Sequence, residues 1–255
     1  HWTYGRKRSI PRSYFRFPRL SLTVCCRFRS FELSGFDQNA FGIRGVRTQR
    51  GTAMTYIVGT VGAFSNADVF VAAQDTIKRV AGDLGATSVR ASRTIMGGEA
   101  QGSVQVAFEC DTLDQAMAVG SGMVKSDEIR DVMAAAGASV VRRSLMMSLA
   151  RRGEMTGTYS SGIMLKSDPL SPEKADADMD GYWANISQGA NGMQTAAVIA
   201  TGANPIGTHY VVTFTDSVDQ LMAASAKNFA DSTTIANMAA TGTVVVGRVL
   251  NEVLF

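Results

Sequence analysis

Apolar side chains dominate residues 56–61, Tyr-Ile-Val-Gly-Thr-Val, a short run that reads as a strand. From Asn66 the period changes to 3.6, and Phe70, Ala73, Ile77, Val80, Ala81 and Leu84 fall on one helical face. Strands follow over 88–96 and 103–110, with Gly97-Gly98 as the turn between. A second helical stretch begins at Asp111, an acceptor for free first-turn amides, with Asp114 as the first-turn acid. It ends near Gly137, which tolerates the left-handed conformation that closes helices. Residues 138–146 read as the last strand. The predicted order is strand, helix, strand, strand, helix, strand.

The order then repeats. Residues 158–165 read as a strand. Ser171-Pro172 opens a helix, with Pro where its missing N–H costs nothing. Met179, Tyr182, Trp183, Ile186 and Ala190 share its inner face. Residues 193–200 and 208–215 read as strands, a helix runs from Asp216 to about residue 240, and 243–250 closes the set. This divides the chain into a first unit at 54–147, a linker at 148–156 and a second unit at 157–255.

The duplication is also visible residue by residue. Residues 111–145 laid over 216–250, at a constant offset of 105, give 13 identities in 35 positions. Met133-Ala134-Ala135 meets Met238-Ala239-Ala240, Gly137 meets Gly242, and Arg143 meets Arg248. Upstream, a one-residue gap matches Val104, Val106 and Phe108 to Tyr210, Val212 and Phe214. In that register the bulky face, Tyr210, Val212 and Phe214, meets the helices. His209, Val211, Thr213 and Thr215 then line the space between the two sheets.

Two βαββαβ units follow the ferredoxin-like pattern, so the expected class is α+β. Helices cover one face of each antiparallel sheet. The other face carries Val and Ala and must also be buried, which packing the two sheets into an intramolecular α/β barrel achieves. In element order, unit length and duplication, residues 54–255 resemble the dimeric α/β-barrel superfamily in a tandem form. The resemblance implies a shared fold rather than a shared reaction. That superfamily holds cofactor-free monooxygenases of the antibiotic-biosynthesis type, small isomerases, haem-binding and haem-degrading members, and ligand-binding regulatory modules.

Composition separates a leader from this body. The chain has 255 residues, 45% hydrophobic, and a net charge of +3. Residues 1–53 hold 11 of the 25 basic residues and only two acids, Glu32 and Asp37, so they carry +9 and the remainder −6. All 13 Met lie from Met54 onward. The leader reads as upstream DNA translated in frame, with Met54 as the start. An organellar transit peptide or a basic arm for nucleic acid or anionic membrane are the alternatives. An acidic body argues against a nucleic-acid partner. No apolar run reaches the roughly 18 residues of a membrane-spanning helix. Three Cys, two of them adjacent, make no disulfide framework, in keeping with a cytoplasmic protein.

Candidate chemistry is sparse. His209 is the body's one imidazole and a candidate general base; the alternative is a solvated strand-end residue. Tyr182, Trp183, Asn185 and Tyr210 are candidate substrate-binding residues, and by residue type they resemble, with His209, the pocket set of the cofactor-free oxygenases. The alternative places Tyr182 and Trp183 in the core. Arg143 and Arg248 recur at one repeat position and read as ion-pair or rim residues. Asp176, Asp178 and Asp180 imitate the start of a calcium loop, but the twelfth position is Ser187 where a bidentate Glu is needed. No metal or cofactor is expected. The expected function is binding of a small apolar or aromatic molecule, as a cofactor-independent monooxygenase or isomerase or, alternatively, as a non-catalytic ligand-binding or interaction module. The expected assembly is a monomer with a pseudo-twofold barrel, or a homodimer.

Overall fold

The computed structural model describes residues 54–202 and 207–255; the expectations for residues 1–53 lie outside them. The first unit runs β1 (Tyr56–Phe64), α1 (Ala67–Ala72), α2 (Gln74–Asp83), β2 (Ala86–Met96), β3 (Val104–Cys110), α3 (Leu113–Gly122), α4 (Asp127–Ala135) and β4 (Ala138–Gly153). The second runs β5 (Tyr159–Lys166), α5 (Pro172–Ile186), β6 (Gly192–Ala200), β7 (His209–Thr215), α6 (Val218–Ala230), α7 (Ser232–Ala240) and β8 (Val244–Val253).

Each sheet has the ferredoxin-like order, β4-β1-β3-β2 and β8-β5-β7-β6, with antiparallel neighbours throughout. The sheets join edge to edge through β2·β8 and β4·β6 into one closed eight-stranded barrel. Closure removes the strand edges that two open sheets would expose. The C-terminus adds a stitch: Phe255 and Leu254 bond to Ala91 of β2, and the Phe255 ring stacks on Phe70 at 6.0 Å. Among the described residues no helix is long and apolar enough to cross a membrane.

Three of the four predicted helices are broken, two of them at a second N-cap. A second N-cap starts each later helix of the 113–135 and 218–240 pairs: Ser126 accepts from the Ile129 amide, and Asp231 from the Thr234 amide. These two caps stand 105 residues apart, as do Thr112 and Ser217, which cap α3 and α6. The cap expected at Asp111 and the helix start expected at Asp216 are therefore displaced by one residue. Asp216 instead accepts from the Thr158 amide and hydroxyl and from the Asn191 amide, bonds that hold its carboxyl below the usual range. Asn66 caps α1, and the break to α2 falls at Ala73. Gly137 and Gly242, at φ 56° and 57°, close the helix pairs in the left-handed region.

β4 also runs longer than its sequence indicates. It continues to Gly153, through residues placed in the linker. A bulge against β6 between Ser148 and Ala150 shifts the register, so Arg151 turns into the barrel and Arg152 turns out to α5. Arg152 gathers Asp176 and Asp180, while Lys174 takes Asp178. The three carboxylates that imitate a calcium loop are thus helix-surface ion-pair partners.

The faces of β7 are the reverse of those expected. β3 and β7 have the same exposure pattern, and the 105 offset continues through them without a gap, so Cys110 corresponds to Thr215 and Val104 to His209. The inserted gap matched bulky side chains to bulky side chains and crossed strand faces. In the first unit Val104, Val106 and Phe108 pack on Phe70, Ile77 and Val119. In the second, His209, Val211 and Thr213 face the helices, whereas Tyr210, Val212 and Phe214 face the barrel interior.

Candidate functional site

Between the second unit's sheet and its three helices lies a cavity of about 110 Å³, space of the order taken by one aromatic ring. Its walls are largely apolar: Ile163, Leu165, Val211, Met179, Ile186 and Leu221. Polar groups enter at few points. His209 is 3% exposed and Ser161 2%, and the His209 Nε2 and Ser161 Oγ atoms are buried without a hydrogen-bond partner. Buried polar atoms are rarely left unpaired. Two on one cavity wall leave bonding capacity that a water or a ligand can take up.

The other edge of the imidazole is anchored. Ser167 Oγ lies 2.8 Å and Thr208 Oγ1 3.1 Å from Nδ1. Each hydroxyl already has a carbonyl to donate to: Ser167 gives its proton to Asp168 O at 3.0 Å, and Thr208 to Ser167 O at 3.1 Å. Thr208 Oγ1 also accepts from the Ser167 amide at 2.8 Å, and each oxygen keeps a lone pair; with the hydroxyl protons on these carbonyls, the matching tautomer carries its proton on Nδ1 and a bare lone pair on Nε2. Burial lowers the His209 pKa from its ordinary 6.5, so the ring is neutral at neutral pH.

Two more polar side chains flank the cavity. Tyr182 of α5 lines it, and burial, then the nearby Asp178 carboxylate, raise its hydroxyl pKa. Arg248 closes one side, donating to Ser225 Oγ at 2.6 Å and resting 5.8 Å from the Phe229 ring centre. It has no carboxylate partner among the described residues, and burial lowers its pKa. Its repeat counterpart Arg143 donates to the Gly120 carbonyl, 105 residues before Ser225. Of the ion-pair and rim alternatives, neither arginine has an ion pair among the described residues, and Arg143 is exposed; each ties the last strand of its unit to the same point on a helix.

The predicted site residues are only partly assembled. His209 and Tyr182 share the cavity wall. Asn185 is one step removed, with its amide 3.5 Å from the Oδ1 of Asn228, which lines the cavity. Trp183 lies against Gly153 at the end of β4, where a Cβ would stand 2.7 Å from the indole, and belongs to the packed core beneath α5. Tyr210 points the other way, into the barrel. Ser161, Ser167 and Thr208 were missed. At the ungapped register His209 replaces Val104 and Thr213 replaces Phe108, and Ser161, paired with Thr213, replaces Val58, paired with Phe108. The matching cavity of the first unit is larger, about 420 Å³, but is walled by Phe70, Ile77, Val104 and Phe108, and among the described residues no fully buried, unpartnered side-chain atom lies on it. Chemistry, not volume, singles out the second unit.

No protein-family model and no curated protein sequence matches the chain. Several solved structures are similar in shape. A mutant chlorite dismutase from Candidatus Nitrospira defluvii is 11% identical, covering 76% of this chain and 91% of that one, with a TM-score of 0.48. An anthrone oxidase-like protein is 9% identical, covering 79% and 92%, with a TM-score of 0.47. The reading of this site rests on its own geometry. A haem, which some members of the resembling superfamily bind, does not fit a space of about 110 Å³ that takes one ring.

Proposed function

We propose that the second unit binds a ring-sized apolar molecule carrying an acidic X–H group, and that His209 Nε2 accepts that proton. The observation behind this reading is the pair of unpartnered polar atoms, His209 Nε2 and Ser161 Oγ, on the wall of an otherwise apolar cavity. A phenol or an enolisable ketone satisfies both atoms while its ring occupies the aliphatic space.

Proton abstraction by a neutral imidazole is the common first step of isomerisation and of cofactor-independent oxygenation. Isomerisation needs only the return of the proton to another atom of the same ligand. The lowered pKa keeps His209 in its accepting form at neutral pH, but it also makes the imidazole a weaker base. The reading therefore favours substrates whose proton is already activated, by a ring or a neighbouring carbonyl.

Calorimetric titration with phenol and anisole tests this. Phenol should bind more tightly than its methyl ether by about 3- to 10-fold, the worth of one neutral hydrogen bond. His209→Gln should erase the preference and abolish hydrogen–deuterium exchange at the α-carbon of a bound cyclic ketone. Equal binding of phenol and anisole would remove the basis of the reading. Preference without exchange would leave a non-catalytic ligand-binding module.

A further inference from the structure

A second cavity, also about 110 Å³, lies inside the barrel and shares no lining residue with the helix-side cavity. Its character differs. Arg90, Arg142 and Arg151 all turn inward, against one inward carboxylate, Glu109. Arg90 and Arg151 share Glu109 Oε1 at 2.5 and 2.8 Å. Arg142 has no hydrogen bond and no carboxylate partner among the described residues. Arg142 is only partly exposed, and a guanidinium drawn partly out of water gains from a partner of opposite charge.

The Tyr210 hydroxyl borders the same space, and it too has no hydrogen-bond partner among the described residues. It sits over Gly162, where a Cβ would lie 1.9 Å from the phenolic oxygen. Tyr210 and Arg142 act on each other electrostatically, although protein surrounds the phenol enough to push its pKa to about 12. Neither side chain is demanded by the strand it occupies. At the repeat offset Arg142 corresponds to Gly247 and Tyr210 to Gln105, and both units build the same sheet. Ile57, Met146, Ala196 and Val212 supply apolar wall beside these two donors.

We propose that the barrel interior is a second binding site, for a small organic monocarboxylate held between the Arg142 guanidinium and the Tyr210 hydroxyl. The planar fork of an arginine matches two carboxylate oxygens, and a phenol adds a third donor. The apolar wall selects an organic anion over an inorganic one. Arg142 and Tyr210 keep partial exposure, so a ligand can reach them from solvent.

The test is calorimetric titration of the whole chain with benzoate and hexanoate, with benzamide and inorganic phosphate as controls. Benzoate should bind in a saturable way and raise the melting temperature, and benzamide and phosphate should not. Arg142→Gln should weaken benzoate by about 10- to 100-fold, as loss of a charged hydrogen-bond partner does, and Tyr210→Phe by a few-fold. Arg142 makes no hydrogen bond or ion pair among the described residues, so Arg142→Gln should melt no lower than the parent protein, which guards against misfolding as the cause. His209→Gln and Arg248→Gln should leave benzoate binding unchanged. Three results would each overturn the proposal: no saturable binding of either carboxylate, binding lost in the His209 or Arg248 variants but kept in Arg142→Gln, or equal binding of phosphate.

Discussion

The interior charge cluster makes a sharp prediction about stability. Glu109 is 5% exposed and accepts from Arg90, Arg151, Ser88 and Gln194. Burial alone would raise its pKa, but Arg90, by charge and hydrogen bond, then Arg151 and Ser88, hold it below the ordinary 4.5. Glu109→Gln keeps the volume and removes the charge, leaving two guanidinium groups that are 20% and 32% exposed facing an amide. Removing one partner of a fully buried pair costs roughly 3–5 kcal/mol, and an exposed pair is worth under about 1. Partial exposure of both arginines places the expected loss near the lower figure, about 3 kcal/mol, or about 6–12 °C in melting temperature for a chain of this size. Urea and thermal unfolding at neutral pH measure it. The pH dependence adds a second check. The folded-state pKa is depressed, so the contribution is complete above 4.5 and is lost as pH falls from there through the folded value. The parent and Glu109→Gln curves should converge in acid. A loss under about 1 kcal/mol, or a gap unchanged in acid, would refute the account of a buried, charge-held carboxylate.

Two further outcomes concern the helix-side cavity. The His209 pKa is lowered by burial, so the unfolded chain takes up the proton first, and stability should fall as pH drops below 6.5. His209→Gln should flatten that part of the profile, and nitrogen NMR at neutral pH should show a protonated Nδ1 and a bare Nε2; a protonated Nε2 would sink the assignment. Ser161→Ala removes a buried, unpaired hydroxyl and should stabilise the chain by about 1 kcal/mol in urea unfolding while weakening phenol by a few-fold. A destabilised Ser161→Ala would mean that the hydroxyl has a structural partner.

Much of the fold is legible in the chain because each element repeats its own physics twice. The 3.6 period on Phe70, Ile77 and Val80, the Ser171-Pro172 start and the Gly137 and Gly242 closures are local signals, and local signals transfer directly into structure. The helix breaks are local too. Ser126-Asp127-Glu128 is a cap followed by first-turn acids, but an apolar period running across it masks the stop. β4 was underestimated for a different reason. Arg151 and Arg152 look like linker residues because a bulge that sends one arginine inward and the next outward leaves no mark in a period-2 pattern.

The site was harder to read because it depends on register, and register is a relation between strands. Matching Val104 to Tyr210 preserves bulk and exchanges the two faces of β7; matching Val104 to His209 preserves geometry and exposes a chemical difference. With the correct match, the two units diverge in opposite directions on opposite sides of the sheet. On the helix side the second unit has exchanged Val58, Val104 and Phe108 for Ser161, His209 and Thr213. On the barrel side the first unit carries Glu109 and Arg142 where the second has Phe214 and Gly247. Each of these polar residues is less favourable for burial than its counterpart, and the counterpart shows that the backbone accepts the apolar or small choice. A duplicated fold thus contains its own control: where one copy folds without a buried polar group, the same group in the other copy needs a reason beyond folding. Here those groups gather around two cavities, which is where that reason should be sought.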